Sequence, residues 1–130
     1  MSRAGGTAAR RRAESRGRLA ETLAAALLLA KGYRIIATRW RGPAGEIDLV
    51  ALRRRQLVFV EVRQRTDLAD AAFSIGPEKR RRLERAAASF VAAQPAFADC
   101  DMRFDAVLMA PWSLPRHLPD AFAASGQFSL

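Results

Sequence analysis

At 130 residues, half of them hydrophobic, the chain is long enough for one folded domain with a single core. Its one cysteine excludes an internal disulfide, and its one histidine excludes the ligand spacing of a zinc finger. The formal net charge of +9 predicts a polyanionic partner, most simply nucleic acid.

The positive charge is concentrated in the first two thirds of the chain. Residues 1–85 contain 20 Lys and Arg against 9 Asp and Glu, or +11, whereas residues 86–130 contain 2 against 4, or −2. This clustering favours nucleic-acid contact over the alternative of a compositional bias toward arginine, which supplies 20 of the 22 basic residues. No segment has the roughly 18 apolar residues of a membrane span, so no membrane partner is expected.

The first predicted helix runs from Arg18 to Lys31, and Gly32 is a stop signal. It is apolar nearly all round, so it is predicted to be buried. Glu21 and Thr22 interrupt the apolar run, which predicts a cytoplasmic protein rather than a secreted one. The Glu21 carboxylate either interacts with the helix dipole or is a third carboxylate of a metal site.

A central β-hairpin is predicted between Gly45 and Arg65, after a strand over residues 33–40 and a turn with the sequence RGPAG. If its turn has an even number of residues, paired positions sum to 109, and Asp48 lies opposite Glu61. Paired residues have Cβ atoms roughly 4.5–5.5 Å apart, where like charges are destabilising. Two carboxylates placed in this way indicate a bound hard cation such as Mg²⁺ or Mn²⁺. A turn of three or five residues would separate them.

The second half of the chain is predicted to form a loop, a helix and a strand. The loop spans residues 64–76, and the helix begins at Pro77 and ends near Gln94. The strand spans residues 103–109 and pairs in parallel with the strand that carries Glu61, because the crossover between them is right-handed. The chain from Pro111 onward is expected to cover the surface.

Ten basic residues are candidate nucleic-acid contacts, because they cluster at the ends of the predicted strands and in the second helix. Trp40 stands between two of them, although a lone Trp near a strand end is typical of packing. A run of charges can also be only a solvated face. The ten residues are Arg39, Arg41, Arg53, Arg54, Arg55, Arg65, Lys79, Arg80, Arg81 and Arg82.

Several motifs in this order resemble the YraN-type (UPF0102) family of predicted endonucleases, which are similar to Holliday-junction resolvases of the PD-(D/E)xK nuclease superfamily. They are AET, KGYRIIATRWR, GEIDLVA, LVFVEVRQR, PEKRRRLERAA and RFDAV. The resemblance implies an α/β fold, with a restriction-endonuclease-like α-β-β-β-α-β core and a mixed central sheet flanked by helices. It predicts a nuclease-like domain over residues 17–122, followed by a tail over 123–130. Residues 1–16 are predicted to be a disordered basic arm, because they are rich in Arg, Ala and Gly.

The resemblance also implies a metal-dependent phosphodiesterase site that binds Mg²⁺ or Mn²⁺. By position, Glu21 corresponds to the helix glutamate, Asp48 to the strand aspartate and Glu61 to the acidic residue of the (D/E)xK element. All three are candidate metal ligands, and Arg63 joins them as a candidate catalytic residue. Arg63 stands where the pattern has lysine, and it can hold a phosphate but cannot readily act as a general base.

These features are consistent with three functions. The first is an endonuclease that acts on DNA, branched or structured DNA on the resemblance alone, for which a homodimer would suit a two-strand substrate. The second is an inactive nucleic-acid-binding protein in which Arg63 replaces the metal by pairing with Glu61. The third is a basic assembly factor, ranked last because it leaves the Asp48–Glu61 pairing unexplained.

Overall fold

The computed structural model of the protein describes residues 17–65 and 77–121. The predicted basic arm, residues 66–76 of the predicted loop and residues 122–130 lie outside the described residues. The predicted domain boundaries therefore stay predictions.

The first helix, α1, occupies residues 17–30 of the described chain and ends as the sequence predicts. Gly32 has φ +94°, the left-handed region that favours glycine. The Gly32 N–H donates to the Leu29 carbonyl and the Tyr33 N–H donates to the Leu28 carbonyl, both at 3.0 Å. These two bonds form a Schellman motif, which satisfies carbonyls that the end of the helix leaves free.

The prediction that α1 is buried is wrong for half of its surface. Ala20 and Leu28 lie in the core, but Leu19, Leu23 and Leu29 are 59 %, 46 % and 56 % exposed. The physical reason is that a helix on one face of a sheet buries a single stripe of residues. A helix that is apolar all round does not reveal which stripe that is.

Five strands form one sheet, with β3 and β4 parallel and every other neighbouring pair antiparallel. The predicted parallel pairing is thus confirmed. A second helix, α2, connects β3 to β4. A short edge strand, β5, was not predicted, because three residues in a proline-rich segment carry no clear period. The elements are β1 Arg34–Gly42, β2 Gly45–Arg53, β3 Gln56–Gln64, α2 Pro77–Ala93, a 3₁₀ turn Pro95–Phe97, β4 Asp101–Met109 and β5 Arg116–Leu118.

The β2–β3 hairpin has the predicted register. Leu52 pairs with Leu57 and Leu49 pairs with Val60, so paired numbers sum to 109. The turn consists of the two residues between the strands, of which Arg54 has φ +57°. The turn therefore has an even number of residues, which is the condition for Asp48 to lie opposite Glu61.

The two helices cover opposite faces of the sheet and form two hydrophobic clusters. On the α2 face, Phe90 stacks edge-on against Phe59 at 5.8 Å and against Trp40 at 5.3 Å between ring centroids. Trp40 is thus a packing residue rather than an exposed platform for a base. On the α1 face, Leu28 and Val60 belong to the other cluster.

This arrangement is a restriction-endonuclease-like α-β-β-β-α-β core within a mixed five-stranded sheet. Among the described residues, no helix is both long enough and apolar enough to cross a membrane.

Asp105 of β4 is a fully buried carboxylate that holds several elements together. It accepts hydrogen bonds from Arg103 Nε and Nη2 at 2.8 and 2.7 Å and from the Asp120 N–H at 2.9 Å, and it contacts His117 Nε2 at 2.7 Å. Burial raises the pKa of Asp105, but the bonds from Arg103, His117 and Asp120 outweigh it and hold the pKa below its usual value.

Asp105→Asn is expected to lower the free energy of unfolding by about 3–5 kcal/mol, because it leaves Arg103, whose side chain is only 18 % exposed, without its counterion. Because the pKa of Asp105 is lower in the folded state, its contribution is present above the unfolded pKa and is lost as pH falls through the folded pKa. Urea titration at neutral pH measures the change. The matched control is Asp101→Asn, an exposed residue of the same strand, for which a change within about 0.5 kcal/mol is expected. An equally small effect of Asp105→Asn would contradict the proposed role of this carboxylate.

Candidate active site

Asp48 and Glu61 meet in one cavity at the edge of the α2 face. The observed register ends at Leu49 and Val60, and one step further along each strand brings Asp48 beside Glu61. The cavity has a volume of about 270 Å³. It is lined by Glu46, Asp48, Glu61, Val62, Arg63, Lys79, Arg82 and Leu83.

Asp48 is held in place by the backbone of the neighbouring strand. Its Oδ2 accepts a hydrogen bond from the Val62 N–H at 2.8 Å. Burial and then the Glu61 carboxylate raise the pKa of Asp48 to about 6, although the Val62 N–H and Arg63 act in the opposite direction. The protein therefore keeps two carboxylates together against their repulsion, which is the property expected of a cation site.

Glu61 forms an ion pair with Arg63 of the same strand. Arg63 Nη2 lies 2.5 Å from Glu61 Oε2, and the two side chains are only 14 % and 18 % exposed. Arg63 Nε is buried and has no hydrogen-bond partner among the described residues. An unpaired buried donor beside an acidic pair can bind an anionic group such as a phosphate oxygen.

Glu21 lies outside this cavity and is bound by Arg39. Arg39 Nε is 2.9 Å from Glu21 Oε1. Burial and then the Asp48 carboxylate raise the pKa of Glu21, whereas Arg39 lowers it. The charge of Asp48 therefore still acts on Glu21. Within the described residues, no three carboxylate, histidine or thiol groups lie close enough to hold a metal ion together. The third-ligand role of Glu21 stays a prediction, and it would require Glu21 to exchange Arg39 for the ion.

The position of Lys79 in the site was not predicted from the sequence. It lies in the first turn of α2 and lines the cavity beside Glu61 and Arg63. Burial and then the Arg63 guanidinium lower the pKa of Lys79, with Glu61 acting in the opposite direction. A signal was present, because Lys79 precedes buried Leu83 by four residues and so shares its helix face.

The other candidate nucleic-acid contacts occupy separate places. Arg82 lines the acidic cavity, and Arg80 has a buried Nε and Nη1 without partners among the described residues. Arg41 is paired with Glu46 at 2.6 Å on an exposed surface. Arg65 and Arg81 are exposed, at the end of β3 and on α2, and Arg53, Arg54 and Arg55 lie at the opposite end of the hairpin.

Comparison with known proteins gives a consistent result. A family model described as "Uncharacterised protein family UPF0102" matches residues 20–109. A UPF0102 protein of Rhodopseudomonas palustris (strain BisB18) is 58 % identical over 106 residues, which cover 82 % of this chain and 78 % of the relative. A UPF0102 protein of Paramagnetospirillum magneticum is 53 % identical over 114 residues, which cover 85 % and 88 %. The matched region contains every residue of the acidic cavity.

Proposed function

This chain belongs to the UPF0102 family, and from the chemistry of its acidic cavity we propose that it is a divalent-metal-dependent endonuclease that hydrolyses phosphodiester bonds in DNA. One observation carries the proposal. The cavity joins a repelling carboxylate pair, Asp48 and Glu61, to the cationic side chains of Lys79, Arg63 and Arg82. Metal-dependent hydrolysis of a phosphodiester needs carboxylates that bind the cation and cationic side chains that bind the phosphate, and this cavity contains both.

Asp48 and Glu61 would hold Mg²⁺ or Mn²⁺. The residues fit such an ion, because hard cations are bound through one or two carboxylates together with water and phosphate oxygens. The raised pKa of Asp48 is the mark of a carboxylate whose negative charge lacks sufficient compensation within the protein. When bound, the ion would supply Lewis-acid polarisation of the phosphate and lower the pKa of water.

The cationic side chains have separate roles. Arg63 holds a phosphate oxygen through its unpaired Nε and stabilises the negative charge that develops there. Lys79, whose pKa is lowered, accepts the proton of the attacking water. The water oxygen bonds to phosphorus and the bond to the leaving oxygen breaks, giving a phosphate monoester and an alkoxide that takes a proton from solvent water to become a hydroxyl. Lys79 thus supplies the proton transfer that Arg63 cannot readily perform.

The test is cleavage of a panel of linear, single-stranded and branched DNA with Mg²⁺, with Mn²⁺ and with EDTA. We expect cleavage that requires a divalent ion and falls by at least about 10³-fold in Glu61→Gln, because this change removes one of the two charges that would hold the ion. The control is Asp120→Asn, which removes an exposed carboxylate that does not line this cavity and should leave the rate unchanged. Cleavage by Glu61→Gln at the rate of the unmodified protein would overturn the assignment.

One observation favours the alternative of an inactive nucleic-acid-binding protein. The Arg63–Glu61 ion pair already neutralises one of the two acids. That alternative predicts tight, salt-sensitive binding of DNA or RNA that is indifferent to divalent ions and to Glu61→Gln. Measuring both binding and cleavage of the same panel of DNA distinguishes the two functions.

A further inference from the structure

A second cavity, larger than the acidic one, lies at the β2–β3 turn and is called here the turn cavity. Its volume is about 570 Å³. Its lining contains four basic side chains and one carboxylate, and none of the four forms an ion pair with any residue that the structure describes. The lining residues are Lys31, Arg53, Arg54, Arg55, Gln56 and Asp101.

Two of the arginines are held in place by neutral contacts. Arg53 lies over the Tyr33 ring, with Cζ 4.4 Å from the ring centroid, and its Nη1 donates to the Lys31 carbonyl at 3.1 Å. Arg55 Nη2 donates to the Asp99 carbonyl at 3.1 Å. These contacts fix the guanidinium groups without neutralising them, so less side-chain entropy is lost when an anion binds.

Lys31 is anchored through the buried polar cluster around Asp105. Its Nζ lies 2.9 Å from His117 Nδ1, and His117 Nε2 lies 2.7 Å from Asp105 Oδ2. An ammonium group can only donate, so His117 Nδ1 accepts and His117 Nε2–H donates to Asp105. These two contacts position the Lys31 side chain at the cavity.

The turn cavity is well separated from the acidic cavity. Gln56 and Glu61 are five residues apart on β3, which is about 17 Å at the rise of a β-strand. A duplex advances about 3.4 Å per nucleotide along each strand, so this distance corresponds to about five nucleotides. A phosphate in the turn cavity cannot be the phosphate at Asp48 and Glu61.

We propose that the turn cavity binds the phosphodiester backbone of a nucleic acid at a point at least about five nucleotides from the bond to be cut. Four cations, three of them held in place, against one carboxylate match a run of phosphates better than a single small anion, because the volume exceeds that of one phosphate group. The distance to the cut bond rests on the proposed nuclease function. Phosphate binding in the turn cavity does not, because none of its residues belongs to the acidic cavity.

The experiment measures affinity as a function of DNA length. Labelled duplexes from about 4 to about 20 base pairs are bound in EDTA, at several salt concentrations, by the full chain and by the double variant Arg54→Gln/Arg55→Gln. For the long duplexes we expect the double variant to bind roughly tenfold more weakly and its salt slope to fall by about 2, one ion for each lost contact. For the shortest duplexes, which cannot reach both cavities and can bind in either one, the loss should be smaller than for the long duplexes. The control is Arg116→Gln, an exposed arginine on β5 that lines neither cavity.

The outcomes separate this proposal from the nuclease function. A loss no larger than that of Arg116→Gln at every length overturns the turn-cavity site, and a loss that is the same at every length overturns the distance of about five nucleotides. Length-dependent binding that disappears in the double variant supports it, even if no cleavage is detected with any metal. Glu61→Gln then serves as the opposite control, since it should abolish cleavage and leave the length dependence of binding intact.

Discussion

Asp48→Asn is expected to make the metal-free protein more stable while lowering cleavage by at least about 10³-fold. The stabilisation should be about 1–3 kcal/mol, because a pKa raised from 3.8 to about 6 means that the ionised group costs folding free energy. Asparagine keeps the oxygen that accepts the Val62 N–H, so the packing is retained. The loss of cleavage follows from removing a charge that would hold the metal. Urea titration in EDTA and a cleavage assay with Mn²⁺ measure the two effects.

The pH dependence of the free energy of unfolding follows from the direction in which the pKa of Asp48 is shifted. The pKa of Asp48 is higher in the folded state than in the unfolded state, so the folded protein binds more protons between about 4 and 6. Asp48 therefore lowers stability as pH rises through that window, and Asp48→Asn should remove this part of the slope. The matched control is Asp101→Asn, which should keep it. An Asp48→Asn protein that is less stable than its parent at pH 7 in EDTA would contradict the unfavourable burial of the Asp48 charge beside Glu61, which supports the proposed metal site.

The parts of the site that the sequence predicted are those governed by a period of two. Strand alternation and a two-residue turn together place Asp48 beside Glu61, since any other placement would move the whole hydrophobic set of a strand to the wrong face. The parallel pairing of β3 and β4 followed for a similar reason, because the handedness of the crossover leaves little choice. In both cases a local rule allows only one arrangement of the two strands.

What the sequence did not predict depends on contacts between distant elements. The ion pair between Arg39 and Glu21, a partner 18 residues earlier on α1, was not predicted, and the role of Arg39 as a nucleic-acid contact stays a prediction. Asp105 gave no signal of its own, because its partners come from β4, β5 and the segment after it. The exposed face of α1 was unpredictable because leucine and alanine occupy all sides of that helix. No local pattern encodes which of several equivalent faces meets the sheet.

In the proposed reaction, Lys79 is the general base of a site that has arginine where the resemblance implies lysine. Lys79→Met is expected to lower kcat by about 10²–10⁴-fold, the range of a general base. Lys79→Arg keeps the positive charge but cannot exchange a proton near neutral pH, so it should recover little of the rate. Single-turnover cleavage with saturating Mn²⁺ measures both variants. The control is Arg82→Met, a neighbour in the same cavity whose loss should weaken DNA binding and spare most of kcat.

The pH–rate profile distinguishes a proton acceptor from a mere positive charge at this position. Burial and Arg63 lower the pKa of Lys79, so the neutral amine that accepts the proton is populated at a lower pH than for an ordinary lysine. The rate of the unmodified protein should therefore rise with pH up to that pKa, and the rise should be absent from both Lys79 variants. If Lys79→Arg instead restores the rate and the same profile, Lys79 acts only through its charge. The proton of the attacking water would then pass to a group other than Lys79. The arginine at position 63 would in that case need no second residue to act as the general base.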